Sequence, residues 1–235
     1  MPPRIESPVN RILFALPSKE RKHFLRNCEQ VELTAPDVLC EPEERIRLVY
    51  FPINSVISLS NPIIDSNATL QVRLVGSEGM FGISLMLGVD ISPLQALIQC
   101  SGRAWQMGAA TFRRELGNNT TLQRVLNRYV QVLMSQLAQT VACTHFHQVE
   151  ARLARWLLMT QDRAHSNNFH LTHELLAHML GVRRVGITKA AGLLQKRNLI
   201  SYNRGHITIL DTLGLETVSC ECYRVDKETY ERVLF

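Results

Sequence analysis

The stretch from Leu171 to Ile200, LTHELLAHMLGVRRVGITKAAGLLQKRNLI, constrains this chain most. Leu175, Leu176, Met179 and Leu180 recur at helical spacing and predict one apolar face. Gly181 follows where the chain must reverse, a position at which a residue without Cβ adopts positive φ at little cost. Val182, Ile187, Ala190, Ala191 and Leu194 then define the buried side of a second helix. Arg183, Arg184, Thr188 and Lys189 fall between them and point outward together. Two packed helices, the second with a basic outer face, have the geometry of a helix-turn-helix that reads DNA.

The charge distribution supports that expectation. Residues 1–144 carry 14 Lys/Arg against 12 Asp/Glu, whereas residues 145–210 carry 9 against 3 and hold seven of the eight histidines. Residues 211–235 reverse the sign, 3 against 6. The surplus is thus localised on the helix-turn-helix region, as expected if the partner is a polyanion, with a solvated basic face lacking any partner as the alternative. With 46% hydrophobic and 20% charged residues, the composition is that of a globular protein. No apolar run is long enough to span a bilayer, and the polar, Pro-containing start MPPRIESPVNRI reads as a short arm rather than a signal sequence, so a cytoplasmic protein with no membrane partner is expected.

Ahead of the motif the texture is different. Residues 10–30 hold an amphipathic stretch with Ile12, Leu13, Leu16, Phe24 and Leu25 apolar. From Val31 to Trp105, short β-rich runs (Leu48–Phe51, Ser55–Leu59, Leu70–Val75 and Ala96–Gln99) alternate with turn residues, which predicts an antiparallel barrel or roll. A helix without Gly or Pro is expected over 118–144. Along it Leu122, Val125, Tyr129 and Val132 form one seam, with Leu126, Leu133, Leu137 and Val141 beside it. Two seams suit both docking onto the roll and pairing with a second copy. Leu122, Val125, Leu126, Tyr129, Val132 and Leu133 are read as the contact of a homodimer, with an internal core helix as the alternative. Residues 149–163 form a further amphipathic helix, with Val149, Leu153, Trp156, Leu157 and Thr160 inward. Ile200–Tyr202 and His206–Ile209 look like two strands joined through Asn203-Arg204-Gly205. Helix, helix-turn-helix and hairpin together make a winged helix. The reading is therefore α+β with three parts: residues 1–117 a sensor β-roll with N-terminal helices, 118–144 a dimerisation helix, and 145–235 a winged-helix DNA-binding domain.

With these parts in order, the chain resembles the Crp/Fnr family of bacterial transcription regulators. The resemblance rests on the glycine-punctuated Val75-Gly76-Ser77-Glu78-Gly79-Met80-Phe81-Gly82, the long helix, Ala151-Arg152-Leu153-Ala154-Arg155 and the motif Leu171–Ile200. It implies a cyclic-nucleotide-binding-like roll, a dimerisation helix and a winged helix that binds an inverted repeat of double-stranded DNA, with RNA polymerase as a further candidate partner. It also implies that Arg184, Val185 and Lys189 occupy the base-reading positions. Arg184 is the candidate for a forked contact to guanine O6 and N7, and Lys189 reaches a base or a phosphate. Val185 stands where the family commonly has an acidic residue. Valine accepts nothing from cytosine but packs on a thymine methyl. Arg183 stands where many relatives have a capping serine, and it is expected at a phosphate together with Thr172, Thr188, Lys196 and Arg204. Thr172 is also placed to cap the first motif helix.

The same resemblance bears on what the roll senses. Nucleotide-binding members follow the Phe with Gly-Glu for the ribose and carry Arg-Ser/Thr-Ala for the cyclic phosphate. This chain has Ile83 after Phe81-Gly82, and Leu94-Gln95-Ala96 in place of the second triplet. Leu137 and Ala138 lie where nucleotide-responsive relatives place hydroxyls. An anion without a positive partner in an apolar pocket is strongly disfavoured, so cyclic AMP is not expected as the effector. The N-terminal cysteine group of iron–sulfur members is missing, since Cys28 and Cys40 stand alone there, and no pattern argues for haem. No cofactor is expected and the effector is open.

The six cysteines are scattered, and no pair has zinc-finger spacing. Cys220-Glu221-Cys222 is the one close pair; it reads as ordinary reduced thiols, with a metal or redox pair as the alternative. His165, His170, His173 and His178 show no shared ligand face, and no metal site is expected. No nucleophile–base pair or carboxylate dyad argues for an enzyme. A ligand-binding or protein-interaction module whose winged helix docks a protein is the alternative function, and the cations of the second helix weigh against it.

Overall fold

The structure is a computed structural model that describes residues 10–63 and 68–235. Most of the N-terminal arm expected from the sequence lies outside them. In chain order the elements are α1 (Arg11–Phe14), α2 (Ser18–Leu25), β1 (Glu29–Leu33), β2 (Val38–Cys40), β3 (Leu48–Pro52), β4 (Val56–Ile63), β5 (Ala68–Val75), a 3-10 turn (Ile83–Leu87), β6 (Gln95–Cys100), β7 (Gly102–Gly108), α3 (Ala109–Asn118), α4 (Thr120–Phe146) and α5 (Val149–Ala164). There follow β8 (Asn168–His170), α6 (His173–Leu180), α7 (Arg184–Lys196), β9 (Ile200–Asn203), β10 (His206–Ile209), α8 (Thr212–Val218) and α9 (Cys222–Leu234).

The roll consists of two antiparallel sheets ordered β1-β7-β3 and β2-β6-β4-β5. β7 is the centre of the first, pairing Val31 with Ala104 on one side and Phe51 with Trp105 on the other. Phe51 anchors the core beneath it, with Phe24 edge-on at 5.5 Å and Phe112 tilted at 6.4 Å. Buried Asn10 holds the chain start in place. Its Oδ1 accepts from the N–H groups of Ile12 and Leu13, capping α1, while its Nδ2 donates to the carbonyls of Pro52 and Gly79.

The expected helix over 118–144 begins two residues later, because Asn119 interrupts it. Asn119 leaves helical geometry (φ −129°, ψ 95°), ends α3, and accepts from the Leu122 N–H at 2.8 Å to start α4. The chain divides into two compact units that do not follow the three-part division read from the sequence. One takes the chain up to Leu59, Leu74–Val130 and Leu234; the other takes Ser60–Arg73, Gln131–Val233 and Phe235. The long helix is therefore no unit of its own. Residues 60–73 join the second unit through contacts that no local pattern announces: Trp156 Nε1 donates to Gln71 Oε1 at 2.6 Å, and Leu70 lies against Gly181.

The residues assigned to the dimer contact are spent differently. Leu122, Val125, Leu126, Tyr129, Val132 and Leu133 are all buried within the single chain. Tyr129 is 1% exposed, and its hydroxyl accepts from the Met80 N–H at 3.0 Å. Gly79 leaves the room for it, since a Cβ there would sit 2.0 Å from that oxygen. Their burial matches the alternative, a helix packed inside its own chain. The apolar side chains that α4 leaves open come later: Met134, Leu137, Val141 and Phe146.

Candidate nucleic-acid interface

The motif forms as its residues dictate. Thr172 caps α6, its hydroxyl accepting from the Leu175 N–H at 3.1 Å, and Glu174 lies in the first turn, where a negative charge suits the helix dipole. Gly181 ends α6 at φ 62°, ψ 43°, the left-handed conformation expected of it. Arg152 on α5 donates to the Leu180 carbonyl, so the turn is held from the preceding helix.

Recognition-helix candidate α7 begins at Arg184, with Arg183 at its N-cap (φ −69°, ψ 143°) and no side-chain capping bond. The first-turn N–H groups of α7 thus have no side chain accepting from them at the cap, the arrangement that receives an anion. At about 100° per residue, Arg184, Thr188, Val185, Lys196 and Lys189 share an arc of about 140°. All five are exposed, Val185 to 58%. Ile187, Ala190, Ala191 and Leu194 occupy the buried arc, packed toward α5 and α6. The helix therefore presents one guanidinium group, two ammonium groups, one hydroxyl and one bare valine along a single outer face.

Among the phosphate candidates the structure distinguishes roles. Arg183, Lys196 and Arg204 are exposed. Lys196 lies in the last turn of α7, about 18 Å along the axis from Arg184. Thr172 and Thr188 already serve the fold. Thr188 donates to the Arg184 carbonyl at 3.1 Å, and its Oγ1 also lies 3.1 Å from His173 Nδ1. Arg204 sits at the tip of the wing at φ 47°, next to Gly205 at φ 86°. Two consecutive positive φ values make the tight hairpin turn that joins β9 to β10. The wing sheet has a third strand that the sequence reading missed, β8, giving the order β8-β10-β9.

His173 is a further residue missed as part of the site. Its ring stacks on Tyr202 of the wing at 4.1 Å and 16° while touching Thr188 of α7, so it ties wing and α7 together. Burial, with the Arg184 charge beside it, pushes its pKa below the ordinary histidine value. The sequence signal was available only in retrospect. His173 follows the cap Thr172, and Tyr202 is the lone aromatic in the hairpin.

In the roll, Ile83 opens the 3-10 turn after Gly82, which adopts φ 91°. Gln95 donates from Nε2 to Glu41 Oε2 at 2.9 Å. The segment that would carry a phosphate-binding arginine therefore presents an amide bound to a carboxylate. Among the described residues no helix is long and apolar enough to cross a membrane.

Comparison with known proteins agrees with this geometry. Residues 151–218 match the model of the Crp-like helix-turn-helix domain. The structure of FixK2 from Bradyrhizobium japonicum superimposes with a TM-score of 0.67 at 12% identity, covering 82% of this chain and 98% of that one. A putative transcriptional regulator of the Crp/Fnr family from Eubacterium rectale gives 0.66 at 17% identity, covering 88% and 96%. The global regulator CLP of Xanthomonas campestris, described as responsive to c-di-GMP, gives 0.60 at 14% identity, covering 82% and 99%. No curated protein sequence matches the chain. The chain thus carries a Crp-like helix-turn-helix domain on the fold of the Crp/Fnr transcription regulators.

Proposed function

We propose that this protein is a cytoplasmic, homodimeric, sequence-specific DNA-binding transcription regulator of Crp/Fnr type that does not use cyclic AMP. The observation that carries the reading is the outer face of α7, where Arg184, Val185 and Lys189 stand exposed above a fully packed inner face. Arg184 supplies the fork that suits guanine, Val185 packs on a thymine methyl, and Arg183 with Arg204 on the wing holds phosphates. Two copies place their α7 helices about 34 Å apart, one DNA turn, on an inverted repeat.

The second copy pairs along α4, on the face that its own chain leaves open. Met134, Leu137 and Val141 recur at three and four residues, the first 61% and the last 62% exposed. No Lys, Arg, Asp or Glu occurs from Gln131 to Thr144, so nothing charged opposes the pairing. The chemistry of the roll supports the reading against cyclic AMP: Ile83 offers no acceptor to a ribose, and Leu94 and Gln95 offer no positive charge to a phosphate.

The test begins with duplexes selected from random sequence by the purified protein. Arg184→Ala is expected to weaken binding to the selected site by about 1–3 kcal/mol and to relax the base preference at one position in each half-site. Unchanged affinity and preference would refute the assignment of α7. Val185→Glu is expected to move the preference at its position from thymine toward cytosine. Calorimetry with cyclic AMP is expected to give no heat of binding; micromolar binding would refute that part.

A further inference from the structure

Four metal-ligating side chains meet at a place that neither the helix-turn-helix nor the wing uses. Cys143 lies in the last turn of α4. His147 follows one turn on, its N–H donating to the Cys143 carbonyl at 3.1 Å, so the two side chains stand on one side of the same turn. Cys220 lies in the bend between α8 and α9 and Cys222 opens α9, where the Tyr223 N–H donates to the Cys220 carbonyl at 3.1 Å. The donor atoms of all four lie within 4.8 Å of one another. Cys143 Sγ is 3.5 Å from Cys220 Sγ, and Cys222 Sγ is 3.5 Å from His147 Nδ1. The three cysteines are buried and the histidine half-buried.

These spacings are those of a coordination sphere. Ligands about 2.3 Å from a tetrahedral centre are separated by close to 3.8 Å, whereas a disulfide brings its sulfurs to about 2.05 Å. The surroundings suit a thiolate-rich site as well. Gln139 Nε2 donates to Cys222 Sγ at 2.9 Å. Arg155, held by Asp226 at 2.5 Å, faces Cys143. Three thiolates around a divalent ion leave one net negative charge, which the guanidinium opposes. Three sulfurs and one imidazole select zinc among common divalent ions, and four protein ligands with no open position make a structural site.

We propose that Cys143, His147, Cys220 and Cys222 form a Cys3His zinc site that fastens the C-terminal end of α4 to the start of α9. The long sequence separation hides it, because a Cys-x3-His at a helix end and a Cys-x-Cys 77 residues later do not make a zinc-finger spacing. The site is independent of the DNA-reading assignment, since none of its residues lies on α6, α7 or the wing.

The full chain, purified with reductant from zinc-supplemented cells, is expected to carry one zinc per chain by elemental analysis. Exchange with cobalt(II) is expected to give the visible bands of a tetrahedral thiolate site and near-ultraviolet sulfur-to-cobalt charge transfer. Cys222→Ser and His147→Ala are expected to lower metal affinity by about tenfold or more with the far-ultraviolet circular dichroism unchanged. His147→Cys keeps four donors and is expected to retain metal with stronger charge transfer, which preserves the test if a cysteine variant fails to fold. Reduced wild-type protein holding less than about a tenth of an ion per chain would overturn the proposal. So would cobalt bands that Cys222→Ser leaves unchanged, or a Cys143–Cys220 disulfide as the resting state.

Discussion

Helices α4 and α7 carry the same kind of apolar periodicity and use it in opposite ways. On α7 the apolar arc is covered by the helices of its own unit, and what remains outside is mainly cationic and polar, with Val185 and Leu193 its exposed apolar residues. On α4 the apolar positions from Leu122 to Leu133 are covered, and what remains outside from Met134 onward is again apolar and uncharged. Periodicity identifies a face that must leave water; it does not say whether the same chain or another covers it. The character of the opposite face supplies that answer. A charged face is finished in solvent or against a polyanion, whereas a second apolar face calls for a further partner.

The largest effect that could break this contrast is a truncation in the covered half of α4. Leu126→Ala is expected to cost about 2–5 kcal/mol of unfolding free energy in urea, because the cavity adds to the lost transfer energy. Val141→Ala, in the open half, is expected to cost about 0.5 kcal/mol or less in a monomer. Equal losses at the two positions would show that the two halves are not distinct. Val141→Asp sharpens the same point: sedimentation is expected to show a monomer with an intact fold, and a persisting dimer would place the pairing surface elsewhere.

Gly79→Ala comes next, at about 1–3 kcal/mol. The added Cβ meets the Tyr129 hydroxyl at 2.0 Å, so Tyr129→Phe in the same chain is expected to recover part of the loss. A double variant whose losses simply add would mean that glycine at this position answers to something other than Tyr129. The effect of Arg184→Ala on DNA affinity is of similar size but leaves unfolding unchanged, since Arg184 is exposed on an otherwise packed helix. A stability loss there would remove the distinction between the outer and inner faces of α7.

The same contrast explains how much was legible in the sequence. The winged helix was readable because its signals are local: a cap at Thr172, a positive-φ glycine at Gly181, an apolar arc on α7 and a Gly-containing hairpin turn all lie within about 40 residues. The roll was half readable. β3 to β6 contain apolar runs, but β1 reads Glu-Gln-Val-Glu-Leu and acquires its partner β7 only across the fold. β8 has three residues and no pattern, and is a strand only because β10 pairs with it. On α9, Asp226 interrupts the apolar stripe, and it is buried because Arg155 on α5 pairs with it. Of the candidate interface, Arg184, Val185 and Lys189 came from the family resemblance, whereas His173 required Tyr202 and Thr188 to be placed around it.

That last contact carries the smallest expected effect and the one that depends on pH. His173 is neutral in its packed position because burial and the Arg184 charge lower its pKa below the ordinary value of about 6.5. The unfolded chain therefore takes up the proton first as pH falls, and the folded state loses stability through the interval below about 6.5. Above that interval the contribution is complete. His173→Phe keeps a ring to stack on Tyr202 but cannot titrate, so its unfolding midpoint is expected to fall less than that of the wild type on acidification. Arg184→Ala removes the neighbouring charge, raises the folded-state pKa of His173 and is expected to shrink this acid-side loss while leaving stability at neutral pH unchanged. If the wild type and His173→Phe respond identically to pH, His173 does not couple the wing to α7 through its neutral form. The outer face of α7 would then be set by its own helix alone, with no contribution from the stack at its edge.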